Sequence, residues 1–266
     1  MAANARKEKI LIVISSDLFI RNYINTNALR SLENEFDCHY VGNIDISIRQ
    51  DLEKKSNFHG YYEIDELTQL KHQKIFDAMM YKFRHKSKSF HFRVMRQTPY
   101  LRTIFYGPKR RFHLRLLKWV LMKPLIILKR LLLDKKFIYR QYLNFLKNSI
   151  QPNNELKKYI HQHNYDLVIF PSSAYDVDGI DLVTICNAQN LKTLFLVDNW
   201  DNLSSKSILW KKPSYIGVWG NQSKAHAIEI QGFDPKKVLL QGTPRFDQYF
   251  EKRNQTIENY FDFNYI

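Results

Sequence analysis

Short apolar runs alternating with amphipathic stretches set the rhythm of this chain. Lys9–Ser15 (KILIVIS), Cys38–Val41, Asp166–Phe170 (DLVIF), Leu194–Val197, Tyr215–Trp219 and Lys237–Leu240 are short, apolar and mostly β-branched or aromatic. Bounded by polar residues, such runs predict strands buried on both faces of a parallel sheet. Leu18–Phe36 places Leu18, Ile20, Tyr23, Ile24, Ala28, Leu29, Leu32 and Phe36 at helical spacing. Asn153–Asn164, Asp181–Asn190 and Asn221–Gln231 read as further helices, and Gly232 ahead of Phe233-Asp234-Pro235 is a stop signal. Residues 44–81 are less regular; Tyr61–Ile64 gives a third strand and Asp65–Tyr81 a helix with Leu67, Leu70, Ile75, Phe76 and Met79 inward. This alternation predicts an α/β fold, a Rossmann-like doubly wound parallel sheet with right-handed crossovers. No GxGxxG follows the first strand, so that turn is not a dinucleotide fingerprint.

Charge changes the picture in one place. The chain has 266 residues and a net charge of +15. Between Lys82 and Asn148, 19 Lys and Arg face one acid, Asp134, for a local +18; the rest carries 22 basic and 25 acidic residues, or −3. The basicity therefore belongs to one insertion, residues 82–148. Counting by the helical angle from Arg111, the residues Arg115, Lys118, Lys129, Lys136, Arg140 and Lys147 share a narrow sector, with Leu116, Val120, Ile127, Leu131, Ile138 and Phe145 opposite. Pro124 kinks or breaks this helix, so two helices are expected. Arg110, Lys123, Arg130 and Lys135 spread the charge further. One reading is a solvated face over a protein core. The other is a surface that meets something anionic. On that second reading Arg110, Arg111, Arg115, Lys118, Trp119, Lys123, Lys129 and Arg130 attach the chain to an anionic membrane. Nucleic acid is a further anionic partner, disfavoured because no binding motif is present and the leucine content suits lipid or packed helices.

Other class signals are sparse. Cys38 and Cys186 have no ligand-like spacing, which suits a reduced, cytoplasmic setting. Ile10–Ile14 is too short for a signal sequence, and no uninterrupted run of about 18 apolar residues suggests a spanning helix. The nine histidines have no metal-ligand spacing. Chemistry concentrates instead in three polar loops after predicted strands: Ser15–Asp17, Ser172–Asp178 and Asp198–Lys206. In an open parallel sheet those loops share the edge where ligands bind.

Three segments resemble bacterial GT-B glycosyltransferases of surface-polysaccharide synthesis and the related CDP-glycerol glycerophosphotransferases of teichoic-acid synthesis. They are KILIVISSDLFIRNYINTNAL (Lys9–Leu29), VDNWDNLSSK (Val197–Lys206) and WGNQSKAHAIEIQGFDPKKVLLQGTPRFD (Trp219–Asp247), the last ending in Gly242, Pro244, Arg245, Phe246 and Asp247. Together they cover about a third of the chain. The resemblance implies the N-terminal half of a GT-B fold. Residues 1–247 would then form an acceptor-side domain with the 82–148 insertion, and 248–266 the start of an interdomain linker. The chain stops nineteen residues after Asp247, so the donor-binding domain is expected on a missing C-terminal part or a separate subunit. No cofactor is expected on this chain, and the nucleotide-sugar only with that other domain.

The resemblance further implies that this domain holds the acceptor and supplies the base of an inverting transfer. Asp198, Asp201 and Asp176 are the candidate bases. Ser16, Asp17, Arg21, Asn22, Ser172, Ser173, Asn199, Trp200, Asn202, Ser204, Ser205 and Lys206 are the candidate acceptor contacts. Plain structural roles stand beside these: Asp17 as a helix N-cap, Asp176 or Asp178 as the cap of the next helix, Trp200 as a loop anchor, Arg21 in a salt bridge, Lys206 as a surface lysine. Arg245 and Asp247 are expected to make structural contacts at the domain junction. The function implied is sugar transfer to a membrane-associated or lipid-linked envelope glycan, on the inner face of the cytoplasmic membrane. The alternatives are a glycerol-phosphate transferase, a non-catalytic scaffold and a nucleic-acid-binding basic protein.

Overall fold

Side chains alternate along a strand, and on β1 (Lys9–Ile14) both alternating sets are apolar and buried. Ile10, Ile12 and Ile14 pack with Phe19, Ile20, Tyr23 and Cys38 on one side of the sheet. Leu11 and Val13 pack with Val168, Phe170, Leu156 and Leu182 on the other. A strand with no polar face must be covered twice, and here it is. The structure, a computed structural model, describes residues 6–44, 49–82, 112–174, 176–206 and 208–247. Among them β1 is joined by β2 (Asp37–Gly42), β3 (Phe58–Tyr61), β4 (Leu167–Ser172), β5 (Lys192–Val197), β6 (Tyr215–Val218) and β7 (Val238–Leu240). The sheet runs β3-β2-β1-β4-β5-β6-β7 and every pairing is parallel. This is the doubly wound, Rossmann-like arrangement that the apolar runs predict.

The structure departs from the predicted elements where local polar chemistry intervenes. The stretch Leu18–Phe36 is not one helix but a short helix Asp17–Phe19, a π turn Ile20–Ile24 and a helix Arg30–Glu35. Thr26 explains the break: its hydroxyl donates to the Asn22 carbonyl at 2.7 Å and accepts the Ala28 N–H at 3.3 Å, competing with the helical ladder. The third strand lies at Phe58–Tyr61 rather than Tyr61–Ile64, and the helix expected from Asp181 starts at Val177. In the basic region Pro124 sits inside a continuous helix, Phe112–Asp134. The chain breaks instead at Lys135, which is extended, before the helix Lys136–Asn148. Pro124 is exposed, so water can satisfy the carbonyl that loses its partner.

Among the described residues the insertion is anchored through its last helix. Leu146, Tyr142 and Leu143 pack with Ile75, Ala78 and Trp210. The helix Glu66–Lys82 is in turn tied to the helix Val177–Ala188, where His72 Nε2 lies 3.1 Å from Asp181 Oδ1 with both side chains buried. Asp181 Oδ2 also accepts the Asn153 N–H at 3.0 Å.

Gly179, in the first turn of Val177–Ala188, shows how tightly this layer sits. A Cβ there would lie 2.8 Å from the Phe170 ring and 2.9 Å from the Phe195 ring. Those rings are themselves packed edge to face, with centroids 5.3 Å apart. Gly179→Ala is expected to cost about 1–3 kcal/mol through overpacking, read as a lower urea midpoint. An unchanged midpoint would show that the rings give way freely.

Candidate functional site

All strands point the same way, so the loops after them share one edge. The chain leaves β1 toward β2 and leaves β4 toward β5, in opposite directions across the sheet. A crevice opens outside the carboxyl ends of these two strands, as at other switch points of open α/β sheets. Three aspartates are gathered there.

Asp176 occupies the N-cap position of Val177–Ala188 but makes no capping bond. Its carboxylate turns back to the end of β4, where Oδ2 accepts the Ser172 hydroxyl at 2.7 Å and the Ser173 N–H at 2.8 Å. Ser172 Oγ also accepts the N–H of Ala174, which is held in the left-handed region at φ 65°. Burial pushes the Asp176 carboxyl up to about 7; the carboxylates of Asp178 and Asp198 push the same way, and the Ser172 and Ser173 hydrogen bonds act against them. The residue is nevertheless only partly buried. Asp178 is raised by burial too, while the Tyr62 hydroxyl (2.7 Å) and the Asn43 amide (2.8 Å) donate to its Oδ1. Asp198 is buried. Its Oδ2 accepts the Ser173 hydroxyl at 3.1 Å and its Oδ1 accepts the Asn202 amide. The Tyr23 phenol, pushed above its usual range by burial and then by the Asp198 charge, hydrogen-bonds Gln241.

The remaining predicted residues divide by what they touch. Asn202 and Ser205 are buried and tie the Asp198–Lys206 loop to itself; Ser204 and Ser205 both donate to the Asp201 carbonyl, and Ser205 also to the Asp201 carboxylate at 3.1 Å. Asn199 Oδ1 accepts the Trp200 N–H at 3.0 Å. Trp200 is 49% exposed and is anchored by its backbone, whose carbonyl accepts the Ser223 hydroxyl. About half of the residue is thus open to solvent. Lys206 closes the π turn Asn202–Lys206. Ser16 takes the N-cap position of the first short helix, so Asp17 is not the cap; it is exposed at the first helical position. Arg21 and Asn22 lie on the next π turn, facing a separate cleft with Arg245 and Asp247.

Sequence reasoning missed Asn43, Tyr62, Tyr23 and Gln241. Tyr23 and Tyr62 stand in apolar patterns and read as core, and nothing local marks their hydroxyls as facing carboxylates. Among the described residues no group of three or more His, Cys, Asp or Glu is placed to hold a metal ion.

Of the residues expected to meet a membrane, Arg110 and Arg111 lie outside the described residues. Arg115, Lys118, Trp119, Lys123, Lys129 and Arg130 fall on the helix Phe112–Asp134, where Lys118 is exposed. Leu114, Leu117, Leu121, Leu125, Leu128 and Leu132 on that helix are between 46% and 67% exposed. Leu116, Val120, Leu131, Ile138 and Phe145, the face opposite the basic sector, are exposed as well. That apolar face does not cover a core among the described residues. No helix among them is long and apolar enough to cross a membrane. Comparison of the sequence with protein-family profiles and with curated proteins finds no match.

Proposed function

We propose that this chain is the acceptor-side domain of a transferase that adds a sugar to an envelope glycan at a membrane surface. The observation that carries it is Asp176, a partly accessible carboxyl at the switch-point crevice with its proton affinity raised to about 7. A base must be ionised near working pH yet basic enough to take a proton from a hydroxyl. Asp176 meets both needs better than Asp198, whose two oxygens are already engaged, or Asp201, which accepts Ser205. In this reading an acceptor hydroxyl donates to Asp176 while Trp200 stacks on the sugar ring. As the new glycosidic bond forms at the donor's anomeric carbon, the hydroxyl proton passes to Asp176 and the nucleoside diphosphate leaves. Burial, with the Asp178 and Asp198 carboxylates behind it, keeps Asp176 basic. The donor is held outside the described residues, as the resemblance to GT-B enzymes implies, and a glycerol-phosphate donor fits the same base.

The insertion supplies the location. By the helical angle the eight exposed leucines of Phe112–Asp134 span an arc of about 180°, with exposed Lys118 at one edge of it. Burying each leucine is favourable by roughly 1.5–3 kcal/mol, and each Lys or Arg near anionic lipid adds roughly 1 kcal/mol. A helix with this pattern lies in the interface plane.

Vesicle sedimentation tests both parts. Anionic vesicles should retain the protein, and changing Arg110, Arg111, Arg115 and Lys118 to Glu should weaken retention at least tenfold. Adding a prenyl-linked oligosaccharide should raise retention further, and Trp200→Ala should remove only that increment. Equal retention on neutral vesicles, or tighter binding to duplex DNA than to anionic vesicles, removes the membrane reading. An increment that survives Trp200→Ala removes the acceptor platform.

A further inference from the structure

Beside the crevice, the loop after β1 meets the segment after β7, and the geometry points to this junction as a binding site for a diphosphate group. The π turn Ile20–Ile24 packs against the turn Pro244–Phe246. Between them lies an open cleft of about 770 Å³ whose lining includes Arg21, Asn22, Asn25, Asn27, Arg245 and Asp247. One guanidinium comes from each turn, and neither is ion-paired among the described residues. Arg21 commits one N–H to Asn22 Oδ1 at 3.4 Å, and Arg245 lies over the Phe246 ring at 5.9 Å. Both forks keep donors free.

Asn22 supplies the second, independent observation. It is only 4% exposed and lines the cleft, yet its amide N–H₂ has no hydrogen-bond partner among the described residues. The amide nitrogen itself reaches the solvent of the cleft, so it is open to a ligand oxygen. Two neighbouring polar groups are already used: the Asn25 amide donates to Asp51 at 2.8 Å and the Thr26 hydroxyl to the Asn22 carbonyl at 2.7 Å. What faces the cleft is therefore two guanidinium forks and the Asn22 amide, beside Asn25 and Asn27, with Asp247 the only acid among the described lining residues. Guanidinium forks match phosphate oxygens in pairs. Two forks on separate turns suit two linked phosphates better than one, and the buried amide can donate to a bridging or terminal oxygen. None of these residues belongs to the Asp176 network, so the site stands or falls apart from the acceptor reading.

Calorimetric titration with inorganic pyrophosphate and with orthophosphate, at fixed ionic strength, tests it. The basic insertion also attracts anions, so the readout is the ratio of the two affinities. Pyrophosphate is expected to bind at least tenfold more tightly than phosphate. Arg21→Gln, Arg245→Gln and Asn22→Ala should each erode that ratio, and the two arginine changes together should bring it near unity. Lys236→Gln, exposed at the amino end of β7, should leave it unchanged. A nucleoside diphosphate and a short prenyl diphosphate then identify the source: the tighter ligand names it, and equal affinities mean the diphosphate alone is read. A ratio near unity in the parent protein, or one that survives the double arginine change, overturns the assignment.

Discussion

An Asp176→Asn variant is expected to be more stable than the parent protein above pH 7 and, on the proposed function, to lose sugar transfer by about 10²–10⁴-fold. The stability half follows from where the proton sits. The carboxyl titrates from an ordinary value of 3.8 in the unfolded chain, and near 7 in the fold. Between those pH values the folded state binds the extra proton, so this group makes stability fall as pH rises from about 4 to 7 and adds no slope above. At about 1.4 kcal/mol per pH unit, the loss is bounded by roughly 4 kcal/mol. Asparagine keeps an oxygen to accept from Ser172 and Ser173 but carries no charge, so the slope should vanish. Urea unfolding at pH 5 and pH 8.5 measures it. A variant that keeps the parental slope would show that Asp176 does not hold this proton, and one that keeps full transfer would remove it as the base. Stabilised but inactive is the pair of results expected of a carboxylate kept for chemistry.

Asp181→Ala should have the largest effect on folding. The carboxylate is buried and serves both His72 and the Asn153 N–H, and His72 Nδ1 already has no partner among the described residues. Removing one member of a buried pair typically costs about 3–5 kcal/mol, against a total stability of about 5–15 kcal/mol. The helix Glu66–Lys82, which His72 pins to the sheet layer, should lose amide-exchange protection first. Replacing both His72 and Asp181 with Leu should cost less than Asp181→Ala, because no polar side chain is then stranded. A loss below about 1 kcal/mol for Asp181→Ala would mean that water reaches the pair.

The same contrast between near and distant neighbours separates what the sequence determined from what it left open. An apolar, β-branched run such as Ile10–Ile14 has one stable solution, a strand covered on both faces, and its length and flanks locate it. Once the strands are parallel, the loops Ser15–Asp17, Ser172–Asp178 and Asp198–Lys206 must share an edge, so the neighbourhood of the site was legible before any coordinates. Local competition was harder to read. The Thr26 hydroxyl ended a helix that its apolar spacing would have continued, and Pro124 was accommodated inside one. The surroundings of the three candidate aspartates, Asp198, Asp201 and Asp176, could not be read. In the sequence Asp176 stands as one candidate base of three and equally as a helix cap. Pairing of Ser172 with Val197 across β4 and β5 brings Asp198 beside it, and the loops after β2 and β3 bring Asn43 and Tyr62 onto Asp178. Burial and the pull of nearby charges depend on these neighbours, and they lie far away along the chain. Sequence set the edge of the sheet; only the tertiary structure set the neighbours of each carboxylate.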